Sequence, residues 1–127
     1  MDATQLERLA SAKYLLVTTY RKDGTGVPTP VWVVRDGDAL GFTTVADSWK
    51  VKRIRNRRDV LVGPCDIRGN LHGEQVPATA ELLGPDGTAA YLPPLRRKYG
   101  LIGSITLLSN RLRRGAAGTI GVRVTLG

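Results

Sequence analysis

Six of the nine residues in Lys50-Val51-Lys52-Arg53-Ile54-Arg55-Asn56-Arg57-Arg58 are cationic, and no acid interrupts them between Asp47 and Asp59. Asp47 and Ser48 precede the run as good helix N-caps, so the pattern predicts a helix over Trp49–Arg58 with Val51 and Ile54 on its apolar side. Like charges at helical i, i+3 and i+4 spacings repel. Lys50 and Lys52 also oppose the positive end of the helix dipole. A bound anion reverses both penalties, because a phosphate at a helix N-terminus accepts backbone N–H bonds and pairs with nearby Lys or Arg. The competing reading is a solvated basic face, which long cationic side chains tolerate.

A second group is Pro28-Thr29-Pro30 directly before Val31-Trp32-Val33-Val34. Residues two apart in a strand send their N–H groups to the same edge, so the prolines delete consecutive donors from one edge of a ladder. The backbone beside Trp32 could then border a groove, with an indole face against a planar ligand. Equally, it could be an edge strand guarded against aggregation, with Trp32 in the core.

Other residue types carry less. Gly24-Thr25-Gly26 lacks the third glycine of a dinucleotide fingerprint and reads as a hairpin turn. One histidine and one cysteine, His72 and Cys65, leave no set for a zinc site and no internal disulfide. Cys65 reads as a buried small hydrophobe, and Glu74 and Glu81 do not form a paired-carboxylate site. Tyr91 and Tyr99 could be core, subunit contact or substrate wall.

The elements that must position these groups follow from pattern. Ala3–Ala12 has the Leu6, Leu9, Ala10 spacing of a short amphipathic helix. Strands are expected at Tyr14–Tyr20, Val27–Arg35 and Ala39–Thr44, joined by the turns at Lys22–Gly26 and Asp36–Asp38 into a three-stranded antiparallel meander. After the basic helix come strands at Val60–Cys65 and Gln75–Leu83 around an Asp66–Gly73 loop, then a break at Gly84–Gly87. Thr88–Tyr99 has helical composition that Pro93 and Pro94 must interrupt or start. A helical Leu101–Leu112 and a last strand at Thr119–Leu126 complete one domain spanning 1–127, a small α+β, mainly β, antiparallel barrel.

Composition limits the function classes. The 127 residues are 42% hydrophobic and carry 19 Lys+Arg against 11 Asp+Glu, a net charge of +8. A chain of this size can bury a core without disulfides or metal. Its apolar runs are far shorter than the roughly 20 residues a membrane helix needs, so no membrane partner is expected. Asp2, Glu7 and Arg8 do not read as a secretory start, which leaves a cytoplasmic location as the expectation. A pI near 10.3 points to an anionic partner.

Taken together, Tyr14-Leu15-Leu16-Val17-Thr18-Thr19, the Lys22-Asp23-Gly24 turn, Pro28-Thr29-Pro30-Val31-Trp32, Asp36-Gly37 and Ser48 followed by Lys50, Lys52, Arg53 and Ile54 resemble the split β-barrel flavin/deazaflavin oxidoreductases. This is the pyridoxamine 5′-phosphate oxidase-like superfamily, and the fit is closest to its small members that use the deazaflavin coenzyme F420. The likeness extends to Arg96-Arg97-Lys98-Tyr99-Gly100 and to Gly121-Val122-Arg123-Val124. It implies an FMN-binding split barrel and a homodimer with cofactor in a groove between the barrels. The cofactor phosphate would lie against Ser48, Lys50 and Lys52, and the tricyclic ring against Thr29, Pro30, Val31 and Trp32. Thr43 and Thr44 would line the phosphate and ribityl side, with further contacts from Arg55 and the His72 loop.

The activity so implied is hydride transfer from reduced F420 to an unsaturated or electrophilic small organic substrate. The protein binds, orients and excludes water, and no catalytic side chain is assigned. FMN is the rival cofactor. Readings of other classes are a non-catalytic cofactor carrier and a nucleic-acid binder using Lys50–Arg58 with Arg111, Arg113 and Arg114. Against nucleic acid stand 6% aromatic residues and no recognised reading motif, so none is expected as partner.

Overall fold

The computed structural model describes residues 3–99 and 119–126. Helix α1 (Ala3–Ala10) leads into β1 (Tyr14–Tyr20), β2 (Gly26–Val31), β3 (Val34–Asp36), β4 (Ala39–Val45), helix α2 (Trp49–Asn56), β5 (Asp59–Cys65), β6 (Val76–Leu82), helix α3 (Pro85–Ala90) and β7 (Thr119–Leu126). Residues 92–99 are also helical. The strands form one antiparallel sheet in the order β2-β1-β5-β6-β7-β4-β3.

That order demands closure. β2 and β3 occupy opposite edges of the sheet, yet only Trp32 and Val33 separate them in the chain. In a flat sheet the edges of seven strands lie about 29 Å apart at ~4.8 Å per neighbour. Three peptide steps span at most about 11 Å, so the sheet must curl into a barrel. Leu9, Leu15, Val17, Phe42, Val62 and Val122, all fully buried, pack with Leu6 and Ile54 in the interior core. The alternating burial of β6 marks one covered and one solvent face, whereas β1 is buried from Leu15 to Thr19.

The expected meander needs correction. The strand expected at Val27–Arg35 is broken at Trp32–Val33: its first half pairs with β1 and its second half with β4. The reason is in the prolines. With Pro28 set against Thr18 and Pro30 against Leu16, Val27, Thr29 and Val31 serve the β1 side, and the outer edge lacks the donors a further strand needs.

Three smaller differences are local. α2 stops at Asn56, with Arg57 extended as its C-cap, rather than at Arg58. The expected Gly84–Gly87 break holds the start of α3 instead, because Pro85 at the first helical position loses no hydrogen bond. Pro93 and Pro94 fall in the first turn of the 92–99 helix, after a turn at Tyr91, so of the two outcomes expected of them, interrupting or starting a helix, they start one. The expected helix at Leu101–Leu112, with Arg111, Arg113 and Arg114, lies outside the described residues.

Candidate functional site

The break between β2 and β3 creates the most distinctive surface of the barrel. The β3–β4 register sets Val34 against Gly41 and Arg35 against Leu40. Continued one way it would set Val33 against Phe42, Trp32 against Thr43 and Val31 against Thr44. Instead Val31 pairs with Leu15 and Pro30 with Leu16. The two ladders therefore diverge, and among the described residues the β4 edge over Phe42–Val45 that faces away from β7 has no ladder partner. Thr29–Trp32 form one lip of this split and Thr43 and Thr44 the other. Thr29, Pro30, Val31, Trp32, Thr43 and Thr44 are all half-buried, as groove walls must be.

Trp32 does not stand free in the groove. Its indole stacks on the Tyr99 ring with centroids 4.5 Å apart and planes 10° from parallel. One indole face is thus covered, and only the other can meet a ligand.

Past Val45 the chain turns directly into α2, which brings the helix start to the end of the second lip. Ser48 has the extended backbone of an N-cap, and its Oγ accepts the Val51 N–H at 3.4 Å. No acid occupies the first turn. Val51 and Ile54 are buried, which fixes the helix roll and leaves the cations on the remaining faces. Lys50 is half-buried and, among the described residues, makes no hydrogen bond or ion pair. Burial, and then the nearby Arg53 charge, lower its pKa from the usual lysine value.

Lys52 turns to a different wall. With Trp49, Arg53 and Asn56 of α2 and Tyr20, Arg21 and Lys22 of the β1–β2 hairpin it lines a cleft of about 470 Å³. Four cations and two aromatic rings meet there without a carboxylate in the lining. Lys52 Nζ sits 4.4 Å above the Trp49 ring, and Arg57 lies 4.1 Å over Tyr20. Trp49 is 69% exposed, unusual for so large an apolar side chain outside a binding surface. Arg55 is exposed on α2 and takes no part in the cleft lining.

His72 lies elsewhere, in a cavity of about 510 Å³ lined also by Arg8, Lys13, Tyr14, Cys65, Asp66 and Ile67. Its Nε2 is 3.7 Å from Asp66 Oδ2. Asp66 itself accepts the backbone N–H groups of Arg68 and Asn70 at 2.9 and 3.0 Å, and these bonds hold its carboxyl below the usual range. Burial pushes the Cys65 thiol up, away from the reactive thiolate, as befits a packed small hydrophobe.

The expected residues therefore divide. Thr29–Trp32, Thr43 and Thr44 border the split; Ser48 and Lys50 stand at the start of the helix that follows β4; Lys52 joins the cationic cleft; Arg55 and His72 are placed apart. Sequence reasoning missed Tyr20, Arg21, Lys22, Trp49, Arg53 and Asn56 as cleft walls. Trp49 directly after a helix cap, at the head of a basic run, was a usable signal; the hairpin residues gave none. Among the described residues no group of His, Cys, Asp and Glu could hold a metal ion. The arrangement suits capture of a planar ring that carries a phosphate.

The sequence matches no protein-family model and no curated protein. Solved structures do match. An F420 reductase is 19% identical with a TM-score of 0.66, the match covering 100% of this chain and 96% of that one. A conserved hypothetical protein from Mycobacterium tuberculosis is 17% identical with a TM-score of 0.71, covering 99% of this chain and 81% of that one. A candidate pyridoxamine 5′-phosphate oxidase from Listeria innocua is 11% identical with a TM-score of 0.66, covering 95% of this chain and 89% of that one. At such identities the likeness is one of fold.

Proposed function

We propose, from a split-barrel fold shared with F420 reductase and pyridoxamine 5′-phosphate oxidase-like proteins, that this chain is an oxidoreductase of the flavin type. It uses F420, with FMN as the alternative, and reduces an electrophilic or unsaturated organic substrate. It works as a homodimer whose grooves are completed between two barrels.

The observation that carries this reading is the half-buried Lys50 ammonium, without a partner among the described residues, in the first turn of the helix that follows the unpaired β4 edge. A cation is placed there at a cost in desolvation and in repulsion from Arg53, and a phosphate would offset both. Ser48 caps the helix whose first N–H groups would face the same phosphate. Thr43 and Thr44 offer hydroxyls along the lip for a polyol chain, and the half-buried Trp32 indole, on the side away from Tyr99, offers a flat apolar wall for a ring. Four cations of the neighbouring cleft give a long anionic cofactor such as F420 further purchase than FMN requires.

When bound, a reduced flavin-type ring supplies the hydride. This chain's residues bind the phosphate, orient the ring against β2 and keep water from the groove. No side-chain acid is needed for that part.

Titrating the purified protein with oxidised and reduced F420, and separately with FMN, tests the reading. Micromolar or tighter binding of one of them, with substrate reduction by its reduced form, is the expected result. Absence of binding of either below the millimolar range overturns it.

A further inference from the structure

Lys98 and Tyr99 lie at the end of the 92–99 helix, more than sixty positions from the strand break, yet both act on it. Lys98 Nζ donates to the carbonyls of Val33 at 2.7 Å and of Ala10 and Ala12 at 2.8 Å. Tyr99 Oη accepts the Val33 N–H at 3.0 Å and donates to the Lys13 carbonyl at 2.7 Å. Val33 is fully buried and sits where one ladder has ended and the next has not begun. Its N–H and C=O must find partners, and these two side chains supply both.

The consequence for the split is direct. Were the two partners absent, the cheapest way to satisfy Val33 would be to extend the β1–β2 ladder by one more pair, Val33 opposite Lys13, whose carbonyl Tyr99 Oη now bridges to the Val33 N–H; that shifts the break and the Trp32 beside it. Three carbonyls also use all three N–H groups of the Lys98 ammonium, which leaves it no proton to offer a ligand. Tyr99 carries the stack on Trp32 with the same ring whose hydroxyl is anchored at both ends. We infer that Lys98 and Tyr99 are positioning residues: together they fix the strand break at Val33 and hold the Trp32 indole as a wall of the ring-binding groove. The inference rests on the cofactor reading of that groove.

The test uses the full chain carrying Trp49→Phe, which leaves Trp32 as the sole tryptophan, with Lys98→Met, Lys98→Arg or Tyr99→Phe added. Acrylamide quenching of Trp32 fluorescence and dissociation constants for F420 and FMN are measured beside far-ultraviolet circular dichroism. Expected are at least a doubled quenching constant and about a tenfold weaker cofactor affinity for Lys98→Met and Tyr99→Phe, on the scale of a slight misplacement of a binding wall. Lys98→Arg, which keeps charge and donors, recovers most of both. If Lys98→Met does not fold, Tyr99→Phe, which removes one oxygen, decides. Unchanged quenching in a folded variant overturns the inference, as does raised quenching with unaltered affinity. If the parent chain binds neither cofactor, the cofactor reading and with it the groove-wall role fall, while the quenching still decides whether the pair holds Trp32 in place.

Discussion

Replacing Lys50 by Met should move stability and affinity in opposite directions, which separates a binding cation from a structural one. The side chain keeps its length and apolar stem but loses a charge that is half-buried, faces Arg53 three positions on and has no protein partner among the described residues. Relief of the like-charge pair alone is worth about 0.2–0.5 kcal/mol. At a urea dependence of roughly 1–3 kcal/mol/M, a gain of about 0.5 kcal/mol raises the unfolding midpoint by ~0.2–0.5 M. Phosphate binding loses a charge-assisted hydrogen bond of about 1.5–3 kcal/mol, or roughly 10- to 150-fold in affinity. The assay pairs urea unfolding with titrations of FMN and of riboflavin, which has the same ring and no phosphate. Expected are a higher midpoint, a large loss for FMN and little change for riboflavin, with Arg68→Met as an exposed loop control unaffected in all three. Because a bound phosphate restores the depressed lysine pKa, wild-type affinity should also be flat near neutrality and fall as pH climbs through the pKa of free Lys50, a slope absent in Lys50→Met. A lower midpoint together with equal losses for FMN and riboflavin would refute the argument, since Lys50 would then be holding the fold rather than a phosphate.

Other expectations are simpler. Thr19 Oγ1 is buried without a hydrogen-bond partner among the described residues, so the near-isosteric Thr19→Val should leave thermal stability equal or raise it by about 1 kcal/mol; a clear loss in calorimetry would show that the hydroxyl is satisfied after all. A Cβ on Gly41 would come within 2.5 Å of the Tyr91 ring, and Tyr91 Oη donates to Asp36 at 2.7 Å. Gly41→Ala should therefore cost at least the ~1–3 kcal/mol of overpacking, checked by urea unfolding, and Gly41→Ala in a Tyr91→Leu background should cost less. Asp66 is depressed below its ordinary 3.8 by Asn70 and Arg68 N–H groups, so its contribution is present above that value and disappears as pH falls through the folded pKa. Stability measured from pH 6 down to about pH 2 should accordingly fall less steeply in Asp66→Asn than in wild type.

Much of the barrel was readable because its strands are locally self-consistent. The β-branched and aromatic run Tyr14–Tyr20 and the alternating Thr119–Leu126 appear in the structure with the bounds expected of them. Ser48 caps α2 as its chemistry demands, and Pro28 and Pro30 mark a true edge. What the sequence could not show has non-local causes. The break at Trp32–Val33 falls inside an apolar run that reads as continuous strand, and its partners come from Lys98 and Tyr99. Strand order is equally silent in periodicity, so the opposite placement of β2 and β3 was invisible. The cleft escaped because Tyr20, Arg21 and Lys22 belong to a hairpin with no chemical signature of its own until α2 is laid beside it.

The place of β7 in the sheet bears on how the polypeptide is made. β7 stands between β6 and β4, pairing Ala78 with Leu126 on one side and Val45 with Thr119 on the other. Without it the sheet is two pieces, β2-β1-β5-β6 and β4-β3, each with an open edge. A ribosome delivers β7 after every other strand of the sheet, so a growing chain holds those raw edges until residue 126 has emerged. Domains of this kind assemble as units, and pairings this distant in sequence form slowly. Barrel closure thus waits on β7, and a chain stalled before Thr119 exposes two sheet edges at once to the chaperone and degradation machinery.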